Sequence, residues 1–221
     1  MKKIYFKKVI VLSVISLFLF QILYITAVEP TVAAAVTASD SVVVTLNVTS
    51  GVSISDAGPV TMLPNLGISA NNAAGTSAWT VKTNSTTGYT LGVKADASPA
   101  LRITATPTSF FADYTDTGNT PEQWSVATGG KEFGFSAYGA DVTDGTWGTG
   151  DLCETSSGSG VPITTMKYVG FETTDQTIAS SNTVTTTSGT VTNICFAAEQ
   201  KDVYAPSGTY NTTITATASA I

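Results

Sequence analysis

The densest run of groups able to do chemistry is Asp141-Val142-Thr143-Asp144-Gly145-Thr146-Trp147-Gly148-Thr149-Gly150-Asp151. Asp141, Asp144 and Asp151 carry hard oxygens of the kind Ca²⁺ takes, and Gly145 permits the sharp turn of a cation loop. The spacing is not that of an EF-hand, and no bidentate Glu closes it. Asp and Gly are also what a solvated loop contains, so the stretch reads as a plain connection too. Trp147, if exposed beside this loop, can stack on a sugar ring. The other reading makes it a core anchor over a disulfide. Cys153 and Cys195 are the only cysteines. In an exported chain they predict one disulfide. Two redox-active thiols are the alternative, without a C-x-x-C spacing or a flanking cation to favour it.

The chain contains no histidine. Ser-His-Asp and Cys-His catalysis and His-ligated zinc or haem are therefore excluded. Glycoside hydrolysis needs two carboxylates flanking a cleft. The many scattered acids make some pair inevitable and single none out. The expectation is a protein without catalytic residues, not an enzyme, with Ca²⁺ the one cofactor its residues suggest. Beyond Ala38 six basic residues face fifteen acidic ones, a net charge of −9. A surface of that sign, without a basic stripe, argues against nucleic acid and anionic lipid as partners.

The elements that would position these groups read as strands. In Ser77–Ala95, Trp79, Val81 and Thr83 alternate with Thr80, Lys82 and Asn84. After Asn84-Ser85-Thr86-Thr87-Gly88, the residues Tyr89, Leu91 and Val93 alternate with Thr90, Gly92 and Lys94. Period two with a Gly-containing turn predicts a β-hairpin, with Trp79 and Val81 paired across it near Leu91 and Val93. Ser41–Thr49 alternates likewise and predicts the first strand, with Val52 and Ile54 extending it. Leu101–Ala105, Glu132–Tyr138, Thr165–Phe171, Thr185–Ala198 and Gly208–Ile221 predict further strands. Thr106–Gly130, with Phe110, Phe111, Tyr114 and Trp124, reads as a long packed loop, and Ala140–Gly160 as an open one. Many short strands with turn signals predict an all-β fold, an antiparallel immunoglobulin-like β-sandwich after an N-terminal signal segment.

That segment covers residues 1–38. Lys2, Lys3, Lys7 and Lys8 precede an apolar run, Val9–Ala27, and small residues follow. Ala33-Ala34-Ala35 and Val36-Thr37-Ala38 offer cleavage sites. The run is also about long enough to stay as a membrane anchor, which needs ~20 residues. Either way residues 39–221, a single domain, are expected outside the cytoplasm, secreted or at the cell surface. Membrane contact would run only through an uncleaved N-terminal segment.

Pro206-Ser207-Gly208-Thr209-Tyr210-Asn211-Thr212-Thr213-Ile214-Thr215-Ala216-Thr217 resembles the closing strand of bacterial surface β-sandwiches. Fimbrial subunits and spore-coat-U-type proteins share this Pro-x-Gly-x-Tyr turn with Thr/Val alternation, and WxL-type cell-wall domains are similar. The Trp-x-Leu signature is absent, with Trp79-Thr80-Val81 nearest to it. The resemblance implies a structural or adhesive surface protein, fimbrial-like, whose partners are its own copies or other surface subunits. In that class a neighbour donates an extended strand. Ser41–Thr49 has the alternation and position of such a donor; pairing within its own fold is the alternative. A secreted module binding glycan or calcium through Asp141–Asp151 and Trp147 is the competing function.

Overall fold

The computed structural model describes residues 13–17, 19, 21, 38–55, 58–115 and 120–221. Residues 13–17, 19 and 21 are helical. Most of the expected signal segment, including both cleavage sites up to Thr37, lies outside the described residues. Among the described residues no helix is long and apolar enough to cross a membrane. The chain divides into two units, Met1–Asn47 and Val48–Ile221.

In the first unit, residues 38–47 have no regular structure, and the predicted strand over Ser41–Thr49 does not form. Alternation supplies a face but not a partner, and a strand exists only in a ladder. The first ladder begins at Val52.

The second unit is built of antiparallel sheets around a shared core, so the all-β class holds. In chain order its elements are β1 (Val52–Ser55), β2 (Asn72–Thr83), β3 (Tyr89–Ala95), β4 (Arg102–Ile103), β5 (Thr106–Phe110), β6 (Ala112–Asp113), β7 (Glu122–Gln123), β8 (Lys131–Gly139), the single helical turn α1 (Asp144–Trp147), β9 (Lys167–Tyr168), β10 (Gln176–Ser181), β11 (Thr190–Gln200) and β12 (Ile214–Ala220). The larger sheet has the order β1-β2-β11-β8-β6. Only its β6–β8 edge is parallel. The smaller sheet has the order β10-β3-β12. Two further pairs, β4 with β5 and β7 with β9, are short.

The expected hairpin is corrected by this order. β2 and β3 belong to different sheets. The chain crosses from one layer to the other at residues 84–88. Trp79 and Val81 therefore meet Tyr89, Leu91 and Val93 within the core rather than along one face. A hairpin and such an arch demand the same alternation, so the pattern could not separate them. Gly88 turns the chain with φ +85°, and a Cβ there would lie 1.9 Å from the carbonyl oxygen of Ser181. Only glycine fits that approach.

Phe133, Phe135 and Ala137 of β8 and Ile194, Phe196 and Ala198 of β11 complete the core from the larger sheet, and Ile178 of β10 joins from the smaller. Phe171 packs beside Phe135 with ring centroids 4.3 Å apart, and beside Phe133 at 5.4 Å. Full burial of each such side chain contributes ~1.5–3 kcal/mol. The opposite face of β11 is covered as well. There Cys195 and Ala197 join Tyr114, Met166 and Tyr168 in a second cluster, roofed by Trp124, Ile163 and Cys153. Trp124 stacks on Tyr114 at 4.6 Å. The segment read as a packed loop thus contains β5, β6 and β7 and forms part of this outer layer. The predicted strand over Thr165–Phe171 shrinks to the two residues of β9, flanked by single bridges at Met166 and Val169 rather than a continuous ladder.

Candidate functional site

The loop from Asp141 to Asp151 folds around α1 and does not gather its carboxylates. Asp141 accepts a hydrogen bond from the Tyr89 hydroxyl at 2.7 Å. Burial, that bond and the Asp141 charge together push the Tyr89 phenol up from its ordinary value. Asp144 starts the helical turn. Among the described residues no three His, Cys, Asp or Glu side chains come together as a metal site. The expected Ca²⁺ triad of Asp141, Asp144 and Asp151 is therefore not formed. Their spacing runs through a helical turn and a bridge from Gly148 to Met166, which separates them. Trp147 is 4% exposed and packs on Phe135 with centroids 5.3 Å apart. No ring face is open to a sugar, which corrects its expected stacking role. Of the two readings of Trp147, burial in the core is the one found.

Cys153 and Cys195 form a disulfide, with Cα atoms 5.2 Å apart. The bridge ties the loop after α1 to the middle of β11 inside the second cluster. The Tyr168 hydroxyl donates to the Cys153 carbonyl at 3.2 Å on the same side. A disulfide points to an oxidising, extracytoplasmic compartment.

The surface features with a chemistry of their own lie elsewhere. Val42, Val43, Val44, Leu46 and Val48 are all between 76% and 89% exposed. Residues 41–55 carry no charge. Five large apolar side chains in one short exposed run are unusual in a soluble chain.

A groove of about 410 Å³ opens in the second unit. Val60, Met62, Trp79, Phe196, Tyr210 and Ile214 are among its lining side chains, and none of the lining residues is charged. Beside it runs β12, the edge of the smaller sheet, bonded only to β3. Ile214, Ala216 and Ala218 of β12 point to the core and stay half-exposed. An edge strand of this kind presents a row of N–H and C=O groups outside any ladder. Val60 and Met62 gave no sequence signal, since Pro59 and Pro64 mask any period around them, whereas Tyr210 belonged to the predicted closing strand.

Compared with known proteins, the chain matches no family model and no curated protein.

Proposed function

We propose that this is a non-catalytic structural or adhesive protein of a bacterial surface, exported and folded as an immunoglobulin-like β-sandwich, whose copies join by strand addition. The observation that carries the reading is the exposed, charge-free alternation of residues 42–48. An extended peptide added to a sheet edge gains main-chain hydrogen bonds, and pockets for alternate side chains set its register. Val42, Val44, Leu46 and Val48 form one row with that spacing. The groove beside β12 supplies the apolar wall, and β12 supplies the free edge. Both are uncharged, while the residues beyond Ala38 carry a net charge of −9, so charged contact surfaces would repel. The disulfide supports export, and the lack of histidine supports a role without catalysis.

The test is the native mass of the purified protein across concentration, by light scattering, with a second variant carrying Val44→Asp and Leu46→Asp. Assembly of the wild type and a monomeric double variant are expected. A wild type that stays monomeric at every concentration overturns the reading.

A further inference from the structure

The root of the exposed segment is fastened by two neighbouring residues, Thr83 and Asn84. The β1–β2 ladder ends where Val52 pairs with Thr83. One residue further, the Asn84 backbone N–H donates to the Gly51 carbonyl at 3.4 Å, and the Asn84 side-chain amide adds two bonds of its own. Its Oδ1 accepts from the Gly51 N–H at 2.7 Å, and its Nδ2 donates to the Thr49 carbonyl at 2.8 Å. The Thr83 hydroxyl adds a bond to the Gly51 carbonyl at 2.9 Å. Thr83 is itself held from the other side. Its N–H donates to the Thr185 hydroxyl and its carbonyl accepts from the Thr185 N–H, both at 3.0 Å. A primary amide carries a carbonyl acceptor and N–H donors in one plane, so it can bond as a peptide group does, with one donor to spare. Asn84 thus prolongs the ladder past its last backbone pair and stops at Thr49, just short of the exposed run that ends at Val48.

We propose that Asn84 is the positioning residue for self-assembly, fixing the point from which the segment 42–48 leaves the body. The proposal rests on the reading that this segment is donated to a second copy. Every residue ordered on docking costs conformational entropy. Residues 49–51 are already ordered, Gly51 by the amide with the Thr83 hydroxyl and the Asn84 N–H, and Thr49 by the amide, so only the run beyond them is ordered when copies meet. Preorganisation of this kind strengthens binding without a new contact at the interface. Asn84 touches neither the groove nor β12 in that scheme and acts only through Thr49 and Gly51.

Two measurements separate this role from a general effect on folding. The first compares assembly midpoints of wild type, Asn84→Ala and Asn84→Asp by sedimentation. The alanine variant is expected to need about tenfold or more protein to assemble, roughly the cost of ordering the freed residues. The aspartate variant keeps the bond from Gly51, loses the one to Thr49, and is expected to fall between. The second measures a synthetic peptide of residues 41–49 binding to protein whose own segment carries Val44→Asp and Leu46→Asp. Adding Asn84→Ala to that protein is expected to leave peptide affinity unchanged. An alanine variant assembling like wild type overturns the proposal while leaving the assembly reading intact. So does a peptide affinity that falls in step with assembly, since Asn84 would then merely shape the body. A wild type that neither assembles nor binds the peptide overturns both.

Discussion

Glu132 of β8 and Glu199 of β11 stand directly opposite one another in the larger sheet. Glu199 accepts a hydrogen bond from the Trp124 indole N–H at 2.7 Å. Glu132 has a different balance. Burial pushes its carboxyl above the ordinary range, a bond from the Thr115 backbone opposes the rise, and the Glu199 charge adds to it. Asp113 is raised too, by burial, against bonds from the Ala100 N–H and the Ser98 hydroxyl.

A raised carboxyl holds its proton more tightly in the folded chain than in the unfolded one. Its stabilisation is full below the ordinary carboxylate range and is lost as pH rises through the raised value. Glu132→Gln keeps an acceptor for Thr115 and removes the charge. It is expected to raise the melting temperature by roughly 1–3 °C at pH 7 and to change nothing at pH 3. Solvent reaches both carboxyls, which keeps the effect small. Thermal melts at the two pH values check it. Equal shifts at both would exclude the charge as the cause.

Replacing both Cys153 and Cys195 with alanine removes a link between residues 42 apart in sequence. The chain-entropy account gives a loss of roughly 4 kcal/mol. The loosening is expected to centre on the outer cluster. Hydrogen exchange should rise most at Met166 and Tyr168, and least at Leu91 and Val93 in the inner core. Uniform exchange across both clusters would show that they unfold as one.

Gly88→Ala forces a Cβ toward the Ser181 carbonyl at a left-handed φ. The conformational part alone costs roughly 1–2 kcal/mol, and the clash adds to it. A variant melting within a degree of wild type would mean that the arch between β2 and β3 has a different path.

Phe171→Ala opens a hole between three phenylalanines and is expected to cost ~3–5 kcal/mol in denaturant unfolding. Val44→Ala, on an exposed side chain, is expected to stay within ~0.5 kcal/mol. The contrast separates what holds the body from what lies outside it.

Because Asp141, Asp144 and Asp151 are not gathered, the melting temperature is expected to be the same in Ca²⁺ and in EDTA. A calcium-dependent rise that Asp144→Asn abolishes would restore a site at this loop.

Much of the fold could be read from residues, and where reading stopped has physical causes. Phe133, Phe135 and Ala137 on β8, and Ile194 and Phe196 on β11, alternate as inward rows and are found inward. Cys195 and Ala197 on the other face of β11 look like ordinary outward positions. They are buried because a layer of irregular segments folds over them, and no strand period announces that. β10 left no trace, since Gln176–Ser181 has Ile178 as its one large apolar residue. The arch at residues 84–88 uses the turn chemistry of a hairpin. For the candidate site, the alternation of residues 42–48 was visible, and its exposure was not. Asn84 was visible only as a turn residue, because a side chain that imitates backbone leaves no pattern in sequence.

The crossing between β2 and β3 also bears on how the chain reaches this state. β3 is the middle strand of its sheet, yet neither of its neighbours is adjacent to it in sequence. During synthesis it gains one edge only when residues 176–181 have emerged, and the other only with 214–220. Until then Leu91 and Val93 have one wall of the core and no ladder. Folding governed by such distant pairings is slow, on the order of milliseconds to seconds. A nascent chain of this protein therefore carries an unpaired, β-prone strand while residues 96–181 are being added. Anything that keeps it extended in that interval competes with misassembly rather than with folding.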